Sequence, residues 1–184
     1  MSHNSTIEGM PVRNVSRVLL VHEDKVLLMK VELPDRSFWC TIGGGMEDNE
    51  TVEEAVKREA YEEIGLTDQD VTWDRSVWYG EHILKRHGID TLHKETFVLG
   101  YANSAKIDPA SLTEEEKAVV KEFKWWPIHE LETTAEFVVP PSMITHIKQI
   151  INCQIPHSPI HIDLSDAPSK KSGPQPSEPK PASP

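Results

Sequence analysis

The sequence predicts an α/β/α sandwich, a mixed β-sheet held between helices. Three observations lead there. Runs of β-branched, aliphatic and aromatic residues recur between Val15 and Ile128, each short enough for a strand. Only two segments, beginning near Thr51 and near Pro141, carry apolar residues at helical spacing. Each of these helices has one apolar stripe, which suits packing on a sheet face.

Residues 15–21 and 26–31 are aliphatic runs separated by His22-Glu23-Asp24-Lys25, the pattern of a β-hairpin. Residues 38–42 form a short strand that runs into Gly43, Gly44 and Gly45. Thr51 followed by Glu54 is a capping-box pattern, so a helix starts near Thr51. Its stripe is Val52, Val56, Ala60 and Ile64, and Gly65 suits the residue that stops it. Residues 71–83 read as strand through Trp73, Val77, Trp78 and Tyr79. Residues 85–94 read as a polar hairpin loop around Gly88, and 95–102 as strand. Residues 111–120 are an acidic loop or a short helix. Residues 123–128 are a strand, ending in a turn at His129-Glu130-Leu131. Residues 141–152 carry Met143, Ile144, Ile147, Ile150 and Ile151 in helical register, with proline early in the segment.

A formal net charge of −11 argues against a general nucleic-acid or anionic-membrane binder. Phosphate ligands remain compatible with it when metal ions supply the positive charge. The two cysteines, Cys40 and Cys153, show no metal or redox spacing, so reduced thiols are expected. No apolar run approaches a membrane span, and residues 1–9 lack a signal-peptide core; a cytoplasmic protein is the expectation. The chain divides into a flexible N-terminus at 1–12, one domain at 13–155 and a proline-rich tail at 156–184 that is expected to be disordered. In the tail, Pro176-x-x-Pro179 and Pro181-x-x-Pro184 match ligands of a polyproline-recognising domain, although such pairs arise by composition alone. The exception in the tail is Ile160-His161-Ile162-Asp163-Leu164, whose alternation also suits an added edge strand.

The chemistry is concentrated between Gly44 and Leu66. Glu59, Glu62 and Glu63 stand at i, i+3 and i+4, which puts three carboxylates on one helix face. Such a face repels itself, and a hard divalent cation with oxygen ligands is the natural compensation. The full spacing is Gly44, five residues, Glu50, seven residues, Arg58-Glu59, two residues, Glu62-Glu63, one residue, Gly65-Leu66. It resembles the Nudix box, the signature of the Nudix hydrolase family, and all seven fixed polar or glycine positions are present. Three neighbouring positions depart from common family usage. Ala60 stands for a larger aliphatic residue, Ile42 for a proline before the glycines, and Asn49 for a glycine before Glu50. Asn49 tolerates left-handed geometry better than most residues. The resemblance extends weakly over residues 15–151, including the late segment Trp125-Trp126-Pro127-Ile128-His129-Glu130-Leu131.

The resemblance implies a Nudix-like fold and a Mg²⁺-dependent enzyme, with Mn²⁺ as a substitute. It would hydrolyse a diphosphate bond in a nucleoside diphosphate linked to another group, by metal-activated water. Nucleoside triphosphates and nucleotide sugars head the substrates. Glu59, Glu62, Glu63 and the Gly43 carbonyl are the implied metal ligands. Arg58 holds Glu50, and Glu50, Arg58 and Glu62 form the catalytic set. Gly44, Gly45 and Arg17 are the candidate substrate contacts, Arg17 equally readable as one half of an ion pair. The general base is a box glutamate or one outside it, with Glu95 and Glu114-Glu115-Glu116 as the outside candidates. Arg36, Arg75 and Arg86 read as surface cations. Trp39, Trp73, Trp78 and Tyr79 could stack on a base, but core packing is the better reading of each. His82, His87 and His93 have no metal-ligand spacing along the chain. Family members specialised for ADP-ribose or dinucleoside polyphosphates carry a proline or tyrosine beyond the box, where Glu81-His82-Ile83 stand, so neither specificity is implied. A non-catalytic nucleotide sensor and an isopentenyl-diphosphate isomerase-like enzyme are the rival readings. A homodimer is compatible with all three.

Overall fold

The computed structural model describes residues 9–166. Its strands are β1 (Val12–His22), β2 (Lys25–Glu32), β3 (Ser37–Cys40), β4 (Ile42–Gly45), β5 (Val71–Arg86), β6 (Ile89–Ala102), β7 (Val120–Pro127) and β8 (Ile160–His161). Its helices are α1 (Val52–Ile64), α2 (Glu114–Val119), α3 (Ile128–Thr133) and α4 (Met143–Ile151). The main path of the sheet runs β3-β2-β1-β6-β5-β8, with β4 paired to β1 and β7 to β2. The β1–β6 pairing is parallel and the β1–β2 pairing antiparallel, so the sheet is mixed as expected.

Alternation along β1 divides the core in two. Leu19 and Val21 point to one face, where they pack with Met143, Ile147 and Ile150 of α4. Val18 and Leu20 point to the other, where they meet Val56, Ala60 and Ile64 of α1. Each helix therefore buries the stripe read from its periodicity, and the α/β/α order follows. No described helix is long and apolar enough to cross a membrane.

Several boundaries differ from the sequence reading. The 85–94 segment is not a loop. β5 and β6 continue through it and turn at His87-Gly88, whose φ values of 50° and 81° suit a two-residue hairpin turn. Its polarity misled because both faces of this hairpin tip meet solvent. Residues 38–42 are two strands, broken at Thr41, and α3 continues the expected turn at 129–131 into a short helix. The acidic segment at 111–120 contains α2, started by a capping box of Thr113 and Glu116.

The domain boundary at 155 also requires correction. β8 adds to the sheet beside β5 in parallel, with Trp78 opposite Ile160. Ile162 and Leu164 are buried at 2% and 3% exposure. Gly80 makes this possible, because a Cβ there would collide with the Leu164 side chain and the Ile162 carbonyl. The folded unit thus reaches at least Asp166. The Pro176 and Pro181 motifs lie outside the described residues, as does most of the N-terminal segment at 1–12.

Candidate active site

α1 assembles the site. The Thr51 N–H donates to Glu54 Oε2 at 2.8 Å and the Glu54 N–H donates to Thr51 Oγ1 at 3.2 Å, so the capping box sets the helix phase from its first turn. With Val56, Ala60 and Ile64 against the sheet, Glu59 and Glu63 fall at the margin of the stripe and are buried. Glu62 stands further out, with half of its side chain exposed. Asn49, just before the helix, takes the left-handed conformation at φ 66°.

Arg58 is the hub of the cluster. Its Nε and Nη2 donate to the two oxygens of Glu50 at 2.8 and 2.9 Å, a bidentate clamp. Its Nη1 donates to Glu59 at 2.9 Å and to Glu62 at 3.1 Å, and its Nη2 also reaches the Gly45 carbonyl at 3.2 Å. One planar guanidinium therefore ties the helix face to both the loop and β4, a task that the point charge of lysine could not perform.

β4 closes the site from the other side. Gly43 pairs with Arg17 of β1 at φ 134°, and a Cβ there would strike the Ser16 carbonyl, so only glycine fits. The Gly43 N–H donates to Glu63 Oε2 at 2.9 Å. A Cβ at Gly44 would meet the Glu59 carboxylate, which would have to move aside.

The electrostatics call for a cation. Burial pushes Glu63 up to about 8, assisted by the charges of Glu59 and Glu116 and opposed by the Gly43 N–H and by Arg17. Burial likewise raises Glu59, with Arg58 opposing. Arg58 bonds to Glu50, Glu59 and Glu62 but not to Glu63. The anionic form of this face thus lacks sufficient positive charge. Its donors are carboxylate oxygens, and a hard divalent cation such as Mg²⁺ fits them.

The outlying candidates resolve differently. Arg17 donates to both oxygens of Glu95, at 2.8 and 3.1 Å, and is mostly buried. Two of its donors are therefore held in an ion pair, although it borders the clefts over β4. Burial would raise Glu95, but the charge of Arg17 and the bond from His82 outweigh it and keep the carboxylate well below its usual range. An anion so stabilised is a weak base. Glu116 is held by the Thr113 N–H at 2.7 Å, yet its charge reaches Glu59 and Glu63, so α2 lies within electrostatic range of the box. Trp39 and Trp78 are core residues. Arg36 and Arg75 pair with Asp166 and Asp74.

The register of β5 on β6 sets His82 opposite His93, and their ring nitrogens and a Glu95 oxygen lie within 4.8 Å of one another. Spacing along the chain hides this cluster, because the hairpin creates it. Glu95 is already committed to Arg17, and the charges of Arg13 and Arg17 both bear on His93, so the cluster suits a cation less well than the helix face does. Arg13, beside Gly45, is the other residue that the sequence reading missed.

The family model described as the NUDIX domain matches residues 10–146. The chain belongs to the Nudix hydrolase family. Nudix members are generally pyrophosphohydrolases acting on nucleoside diphosphate derivatives, and they generally use divalent metals. Among solved structures, a NUDIX-family hydrolase from Clostridium perfringens is similar at 19% identity and TM-score 0.56, covering 78% of this chain and 99% of its own. A C. elegans Ap4A hydrolase is similar at 14% identity and TM-score 0.57, covering 77% and 96%. A MutT NUDIX hydrolase from Burkholderia pseudomallei is similar at 22% identity and TM-score 0.52, covering 79% and 98%. At these identities the structures support the Nudix fold and not a substrate. No curated protein matches the chain.

Proposed function

We propose that the protein is a Mg²⁺-dependent pyrophosphohydrolase that cleaves a diphosphate bond in a nucleoside diphosphate linked to another group. The observation that carries this reading is the pair of buried carboxylates Glu59 and Glu63, one helical turn apart and short of positive charge. Glu59, Glu62, Glu63 and the carbonyl of Gly43 would hold the metal. Bound there, Mg²⁺ supplies charge neutralisation of the diphosphate and activation of the attacking water.

The side chains divide the remaining work. Arg58 fixes the rotamers of Glu50, Glu59 and Glu62 through its fork. Glu50, clamped and held below its usual range chiefly by the Arg58 hydrogen bonds, stays anionic and secures the loop before the helix. Glu62, the most open of the three helix carboxylates, would accept a proton from water. Gly44 and Gly45 let a phosphate chain approach the backbone of β4. Nucleoside triphosphates and nucleotide sugars are the first substrates to test, and a cytoplasmic setting would suit them.

A metal-dependent turnover assay over a nucleotide panel, with products identified by mass, tests this reading. Mg²⁺-dependent release of a nucleoside monophosphate or of pyrophosphate is expected. Nucleotide binding without turnover at any metal concentration would favour the sensor reading instead.

A further inference from the structure

Of the six arginines, Arg17, Arg36, Arg58 and Arg75 form ion pairs among the described residues. The other two, Arg13 and Arg86, have no ion-pair partner among the described residues. They also lie together. Both line a cleft of about 330 Å³ over the glycine strand, with Lys85 and His93. Both also line the adjoining cleft of about 750 Å³ beside the loop at 46–50. Two cations brought together without a counter-ion repel each other, and the sequence has abundant carboxylates with which to pair them. Glu47, Asp48 and Glu50 also line the larger cleft, yet none pairs with either arginine.

The position relative to the box gives the pair its meaning. Arg13 packs directly on Gly45, so closely that a Cβ there would meet its guanidinium. The carbonyl of the same Gly45 accepts from Arg58. One glycine therefore separates the cationic cleft from the carboxylate hub. Arg86 comes from the end of β5, at the tip of the β5–β6 hairpin, next to the His87-Gly88 turn. Burial and the nearby charges of Arg86 and Arg17 all lower the pKa of Arg13, with Glu59 opposing, as expected of a cation that lacks an anion.

We propose that Arg13 and Arg86 form an anion subsite for phosphate groups beyond the diphosphate held at the box, which selects substrates with three or more linked phosphates. This rests on the pyrophosphohydrolase reading for calling the ligand a substrate; the subsite itself rests on the two unpaired guanidiniums. A planar fork suits a phosphate oxygen pair, and a chain leaving the box over Gly44 and Gly45 would enter the cleft that both arginines line. A diphosphate joined to a neutral sugar would place no charge there.

The test is calorimetric and needs no turnover. Methylene-bridged triphosphate and methylene-bridged diphosphate, neither carrying a nucleoside, are titrated into the full chain with Mg²⁺ present. The unaltered protein should bind the triphosphate about tenfold or more tightly than the diphosphate. Arg86→Gln and Arg13→Gln should each cut that preference severalfold, and the double variant should abolish it, with diphosphate affinity changed less than about twofold. Arg86 sits at an exposed hairpin tip, so its variant reports on binding even if Arg13→Gln disturbs the fold. Equal affinity for the two compounds, or a preference that survives Arg86→Gln, would overturn the subsite. A protein that keeps the preference but turns over no nucleotide would leave the subsite standing and remove the hydrolase reading.

Discussion

Arg58 and Glu63 show how much depends on single groups. Arg58 makes contacts that need a planar fork: two bonds to Glu50, with further donors on Glu59 and Glu62. Arg58→Lys keeps the charge and loses that geometry. Hydrogen bonds to charged groups contribute about 1.5–3 kcal/mol each, so turnover should fall roughly 10- to 100-fold with the fold intact. Steady-state kinetics with circular dichroism decides it, and a fully active lysine variant would show that charge alone suffices. Glu63 adds a pH dependence. Its pKa rises from 4.5 to about 8 in the folded metal-free protein. A carboxyl raised on folding contributes stability that is present below its unfolded value and lost as pH rises through the folded one. The metal-free protein should therefore lose melting temperature between about pH 4.5 and pH 8. Mg²⁺ should restore more of it at pH 8 than at pH 5, because it binds the carboxylate form. A Mg²⁺ effect of equal size at both values would take Glu63 out of the metal site. The capped helix, Gly65 and the box residues were legible because their spacing is local. The Arg17–Glu95 pair was open between two readings, because its partners stand 78 residues apart.

At the scale of elements, helices were easier to read than strand ends. α1 and α4 follow from periodicity and capping, and each buries the stripe expected. The β5–β6 arm was hidden because its tip at 85–90 is mostly polar and exposed, which leaves periodicity little to report. β8 showed in the sequence as a short alternation, but its proline-rich surroundings set it in the tail. Ile162 and Leu164, which follow it, are buried and carry a prediction. Each contributes roughly 1.5–3 kcal/mol on burial, so ending the chain at His157 should lower the melting temperature by roughly 6–24 °C relative to a chain ending at Asp166. Differential scanning calorimetry on the two chains measures it. Equal melting temperatures would mean that Ile162 and Leu164 do not belong to the folded unit. Gly43→Ala should be severe for a different reason, since it combines φ 134° with a collision against the Ser16 carbonyl. A Gly43→Ala chain that melts and turns over normally would show that β4 can shift without cost.

The whole molecule brings together two groups that could attract a cation, the carboxylate face of α1 and the His82–His93–Glu95 cluster on the β5–β6 hairpin. Only the first was visible in the sequence, where three glutamates share a helix face; the second exists because of strand register. Charge balance separates them. The helix face is deficient in positive charge, whereas the histidine cluster has Arg17 already bound to its carboxylate and Arg13 nearby. Metal selection by the helix face depends on that difference. The most direct measurement is an anomalous difference map from crystals soaked in Mn²⁺, which replaces Mg²⁺ at oxygen sites. The account predicts a peak about 2.2 Å from oxygens of Glu59 and Glu63. A peak at His82 and His93 with none at the helix face would contradict it.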